Sequence, residues 1–138
     1  MPEAATAARR SAALSRVAEA VEGMTDELGP AFQEELDRLE AARLRFAAGA
    51  PGAAVALRNR AHDLKGTGKI CGFPLAARIA ASLQELLDRA PAPPPERLRP
   101  LADAHAAAIR TLVREGIREP DHPAGAELAA VLERAAQA

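Results

Sequence analysis

The sequence predicts an all-α fold: an antiparallel four-helix bundle with additional N- and C-terminal helices. Three observations predict it. Of 138 residues, 36 are Ala, the best helix former and a poor strand residue, and β-branched residues are few. Apolar residues recur by threes and fours along most of the chain, and no segment alternates as a strand does. The breaks between periodic segments are short and rich in Gly and Pro, so consecutive helices should be antiparallel neighbours. A chain of this length has room for one ordinary domain.

Taken in order, residues 1–29 read as a covering helix, with Leu14, Val17, Val21, Met24 and Leu28 on one stripe. That stripe spans only about two heptads, so packing on the bundle is favoured over a coiled-coil dimer. The pattern predicts a stop at Gly29-Pro30, since Pro suits a first helical turn. Residues 30–118 form the expected bundle. Its first helix, 31–48, aligns Phe32, Leu36, Leu39 and Phe46, with Leu44 off the stripe. Gly49-Ala50-Pro51-Gly52 breaks it. The second runs from about Ala53 to Cys71, and Gly72-Phe73-Pro74 ends it. The third, 75–90, carries Leu75, Ile79, Leu83, Leu86 and Leu87. Pro91-Ala92-Pro93-Pro94-Pro95 is a short stiff connector. The fourth, 96–116, carries Leu98, Leu101, His105, Ile109 and Leu112, and Pro100 argues for a start slightly past Glu96. Residues 119–138 add a Pro-containing loop and a last helix with Leu128, Val131 and Leu132.

Composition excludes several function classes. Eighteen basic and nineteen acidic residues leave a net charge of −1, with no electrostatic case for nucleic acid or an anionic membrane. With no Trp, no Tyr and three Phe, base-stacking platforms and aromatic cages are disfavoured. No stretch approaches a membrane span, and no signal peptide is visible. The single Cys71 reads as a small buried hydrophobe and fits a reducing compartment, so a cytoplasmic protein is expected. His62, Cys71, His105 and His122 lack metal-ligand spacing, so no metal site is expected. His105 sits on an apolar stripe and reads as a packed histidine; His122 reads as an exposed loop residue. No converging acid, base or metal groups suggest an enzyme.

The second bundle helix departs from this plainness. On a helical wheel Leu57, Ala61, Leu64, Gly68 and Cys71 form the core face, and His62 points about 140° away from its centre. Sixteen of the eighteen basic residues are Arg; the two exceptions, Lys65 and Lys69, share the strip of His62. Asn59 and Val55 lie on the same side. Gly66 and Gly68 stand inside the helix, where each costs on the order of 1 kcal/mol relative to Ala. Gly68 on the core side allows close packing. Gly66, one turn beyond His62, leaves room over the imidazole for a bulky group or another protein. An exposed imidazole is a competent nucleophile near pH 7, and flanking lysines offset charge on phosphoryl oxygens. The chemistry this suits is phosphoryl transfer to histidine.

His62-Asp63-Leu64-Lys65-Gly66-Thr67-Gly68, with Gly72 ten residues after the His, resembles the signature of histidine-containing phosphotransfer (HPt) domains. Thr67 and Gly68 stand where Ser or Ala is more usual. The resemblance covers roughly Leu28 to Gly116. It implies a phosphoryl carrier without catalytic activity of its own. Such a domain accepts the group from a receiver aspartate or a histidine or hybrid kinase and passes it to a response-regulator receiver. It implies His62 as acceptor, Lys65 as the phosphoryl-stabilising lysine and Gly66 as the clearance residue. Lys69, Asn59 and Val55 are added from the wheel as phosphoryl- or partner-binding residues. No cofactor is expected, and Mg²⁺ would arrive with the partner. A monomer is expected. Two other readings stand beside this one: a helical adaptor that binds a receiver or kinase without carrying phosphate, and the phosphorylatable N-terminal domain of a chemotaxis-type histidine kinase.

Overall fold

A computed structural model describes the backbone of residues 2–138 and the side chains of residues 8–14, 16 and 29–138. The elements are α1 (Pro2–Ala47), α2 (Ala53–Ile70), α3 (Pro74–Asp88), α4 (Leu98–Arg114) and α5 (Pro123–Gln137). Among the described residues there is no strand. Among the described residues no helix is long and apolar enough to cross a membrane.

One expected break is absent. The helix runs through Gly29 and Pro30, and Pro30 lies inside α1. A proline removes one backbone hydrogen bond from a helix interior, but the residues on both sides favour helix and no turn residue follows it. The chain nevertheless divides at this point into two compact units, Met1–Pro30 and Ala31–Ala138. In the first unit Leu14 is exposed, at 66%. Its stripe partners Val17, Val21, Met24 and Leu28 lie outside the described side chains.

The second unit holds the bundle. Residues 31–47 of α1 bury Phe32, Leu36, Leu39, Ala42 and Phe46, and Leu44 faces solvent as its off-stripe position predicts. An ionic seam ties this segment to α4. Arg43 donates to Asp103 at 2.9 Å, and Arg110 lies 3.3 Å from Glu40. Arg43 also bonds Glu40 and holds its carboxyl below the ordinary range. Helix α3 lies at the centre and packs against α2, α4 and α5. It is apolar nearly all round, burying Leu75, Ile79, Leu83, Leu86 and Leu87 together with three alanines and Ser82. Such a pattern belongs to a helix enclosed by others.

Helix α4 begins at Leu98, so Pro100 falls in the first turn, where a helix does not need its N–H. Its His105 is fully buried. Nδ1 donates to the Leu101 carbonyl at 2.8 Å, and the Ser82 hydroxyl of α3 donates to Nε2 at 3.0 Å. Both ring nitrogens are thereby satisfied with the ring neutral, and burial pushes its pKa down.

Helix α5 docks on α3 and α4 through Gly125, Ala129, Leu132 and Ala136. Val131, expected on the packing stripe, is instead exposed. In an Ala-rich helix small residues can line the close contact, and the larger apolar ones need not mark it. Arg78 of α3 grips Glu133 of α5 through two nitrogens. His122, expected as a plain loop residue, is the N-cap of α5: its Nδ1 accepts from Gly125 N–H at 3.0 Å. An imidazole lone pair can satisfy an orphan helix donor as a hydroxyl or carboxylate would.

Candidate functional site

The site is built on α2, whose rotation is set from both faces of the helix. Ala53, Leu57, Ala61, Leu64 and Gly68 are buried, as the wheel predicts, and Cys71 follows at 2% exposure. Burial pushes the Cys71 thiol up, away from the reactive thiolate. Gly68 meets α3 closely: a Cβ built there would stand 3.3 Å from the Ala77 methyl and 3.4 Å from its backbone nitrogen.

The C-terminus of α2 closes in a Schellman motif. Phe73 N–H bonds the Gly68 carbonyl at 2.8 Å and Gly72 N–H bonds that of Lys69 at 3.2 Å, with Gly72 at φ +82°. Arg118, from the segment between α4 and α5, stabilises this turn. Its guanidinium lies 4.1 Å over the Phe73 ring and donates to the Cys71 carbonyl at 2.7 Å. Phe73 in turn stacks on Phe32 of α1. Thr67 donates to Glu35 of α1 at 2.9 Å.

With the core face so held, His62 is turned out to solvent. Lys65 is half-buried; Gly66, Lys69 and Asn59 are exposed. Spacings of three and four place them on one strip of the helix. Nothing lies within 4 Å of a Cβ built on Gly66, so packing inside the protein does not require a glycine there. Val55, 64% exposed, is on the same side but two turns away, about 10 Å along the axis. It lies between two shallow clefts of about 400 and 390 Å³ formed with the 91–95 segment. Asn59 does not engage the ring; its side-chain oxygen accepts from Arg58 at 3.1 Å.

Two contacts escaped the sequence reading. The His62 ring is not free: Nδ1 stands 3.3 Å from Gln84 Oε1 of α3. An amide oxygen only accepts, so this contact fits the tautomer with the proton on Nδ1 and the lone pair on Nε2. One turn earlier on α2, Arg58 bonds Asp88, the last residue of α3. Both are pairs across two helices, and no pattern within either helix reveals them. Among the described residues no group of three or more His, Cys, Asp or Glu is placed to hold a metal ion.

A family model for the Hpt domain matches residues 23–138. The chain belongs to the Hpt domain family. The match takes in α2 with its histidine strip and extends through α5. No curated protein and no solved structure matches the chain. Hpt domains are phosphocarriers, in general not catalysts, and they work with receiver domains and kinases in phosphorelays. The Hpt domain here accordingly has a phosphotransfer role in two-component signalling.

Proposed function

We propose that this Hpt domain takes a phosphoryl group on Nε2 of His62, from a receiver aspartate or a histidine kinase, and passes it to a response-regulator receiver. The observation that carries the reading is the outward-facing imidazole with Nδ1 held by Gln84, beside Lys65 and Lys69 and over the open Gly66.

The transfer balances simply. The Nε2 lone pair attacks phosphorus, the N–P bond forms, and the O–P bond to the donor aspartate breaks with a carboxylate leaving. The proton stays on Nδ1, so the phosphorylated ring is an imidazolium. That makes it a better leaving group for the next transfer than a neutral ring would be. Lys65 and Lys69 offset charge building on the phosphoryl oxygens. Gly66 gives a receiver surface room to approach, and Asn59 and Val55 extend the contact along α2. The partner supplies Mg²⁺, and the domain acts as a cytoplasmic monomer without an activity of its own.

The test is incubation with a phosphorylated receiver or an active histidine kinase and Mg²⁺. Acid-labile label should appear on the wild-type chain and be missing from His62→Gln. A wild type that binds the receiver as His62→Gln does, with neither taking label, would establish a non-phosphorylated adaptor instead.

A further inference from the structure

The strip bearing His62 also carries Arg58, one turn before it. On α3, Gln84 and Asp88 are likewise one turn apart, and they make two rungs: Gln84 to His62 and Asp88 to Arg58. As numbers rise along α2 they fall along α3, as antiparallel helices require. Asp88 is an odd choice for its position. A carboxylate in the last turn of a helix faces the negative end of the macrodipole, and the cation that offsets this comes from Arg58.

The Arg58–Asp88 pair is half open to water, with side chains 39% and 42% exposed, so separating it costs little. Arg58 holds Asp88 through Nε and Asn59 through Nη1, while Nη2 has no partner among the described residues. Residues four apart on a helix are neighbours, and an arginine reaches the side chain one turn on. A phosphoryl group on His62 would bring two negative charges and three acceptor oxygens within that reach, against one charge on Asp88. The planar guanidinium fork can take phosphate oxygens bidentately, whereas it meets Asp88 through Nε alone.

We infer that Arg58 is an exchangeable phosphoryl-positioning residue: Asp88 holds it while His62 is bare, and it turns to the phosphoryl group when His62 carries one. This rests on His62 being the phosphoacceptor. Asp88 then acts only through Arg58, by competing for it.

The probe is phosphoramidate, which phosphorylates an exposed imidazole without any relay partner. Nε2 attacks phosphorus, the phosphoramidate P–N bond breaks and ammonia leaves. Rates of N–P formation at His62 are followed by ³¹P NMR in wild type, Arg58→Ala, Asp88→Ala and the double variant, with His62→Gln assigning the signal. Asp88→Ala should react roughly 2–5-fold faster than wild type and Arg58→Ala slower by a similar factor. The double variant should match Arg58→Ala, and Arg58→Lys should recover part of the rate. The Arg58 Nε–H resonance should move on phosphorylation in wild type and stay put in treated His62→Gln. A speed-up from Asp88→Ala that persists in the Arg58→Ala background means that Asp88 acts by its field alone, and overturns the exchange; so does an unmoved Arg58 resonance. No N–P signal at His62 in wild type would instead remove the phosphoacceptor reading itself.

Discussion

Nδ1 of His62 faces the side-chain oxygen of Gln84 across the seam between α2 and α3, at 3.3 Å. With the amide oxygen as acceptor, this contact favours the Nδ1–H tautomer and orients the ring. Gln84→Ala should therefore leave the fold intact and slow phosphoryl uptake roughly 2–12-fold, the worth of one ordinary hydrogen bond. Long-range ¹H–¹⁵N NMR of the ring should show the Nδ1–H tautomer more populated in wild type than in the variant. An unchanged tautomer and rate would remove Gln84 from the site.

The two glycines inside α2 should separate stability from function. Gly66→Ala meets nothing within 4 Å and should stabilise the helix by about 1 kcal/mol. If a receiver approaches over Gly66 as proposed, the same methyl should slow transfer. At Gly68 the added methyl would press on Ala77, including its backbone. Gly68→Ala should unfold at lower denaturant than Gly66→Ala by on the order of 1 kcal/mol or more. Urea titrations of both variants, with transfer rates alongside, check the pair; equal midpoints would contradict the packing account.

Lys65 makes no ion pair among the described residues, and its neighbour on the strip is the His62 ring. Lys65→Ala should keep the helical circular dichroism and unfolding midpoint of wild type while transfer slows. Mutations that remove charge stabilisation at a transferring group often cost on the order of 10²-fold; one exposed lysine with Lys69 still present should cost less than that. A rate equal to wild type would exclude Lys65 from the chemistry.

His105 supplies a pH dependence unrelated to transfer. Its pKa is pushed below the ordinary 6.5 by burial, so the unfolded chain binds the proton more readily than the folded one. Stability is then full above pH 6.5 and declines as pH falls below that value towards the lowered folded one. Unfolding free energy should therefore be lower at pH 5.5 than at pH 7.5. A Ser82→Ala, His105→Leu double variant should lose that slope in urea titrations at the two pH values.

What the sequence makes legible follows from where the information sits. Helix periodicity is a property of one segment, so the faces of α2 and α3 could be read before any packing was known. Leu44 off its stripe and Gly68 on the core side are examples. Pro30 misleads because a proline inside a helix and one at its first turn look alike in a string. The docking face of α5 is hidden for another reason: Gly125, Ala129 and Ala136 carry little hydrophobic signal, while exposed Val131 carries more. At the candidate site the strip of His62, Lys65 and Lys69 is local and readable. Gln84, Asp88 and the clamp of Arg118 on the α2–α3 turn are relations between distant segments, and residue type alone does not announce them.

The Schellman stop at Gly72 and the Gly68–Ala77 contact set the phase of α2 as a keyway sets a shaft. Each residue inserted or removed between His62 and that stop would turn the imidazole by about 100° while every side chain of the motif remained present. Two residues would swing the ring most of the way towards the core. A lineage could thus silence or restore the carrier by length changes in α2 alone, with the histidine itself untouched.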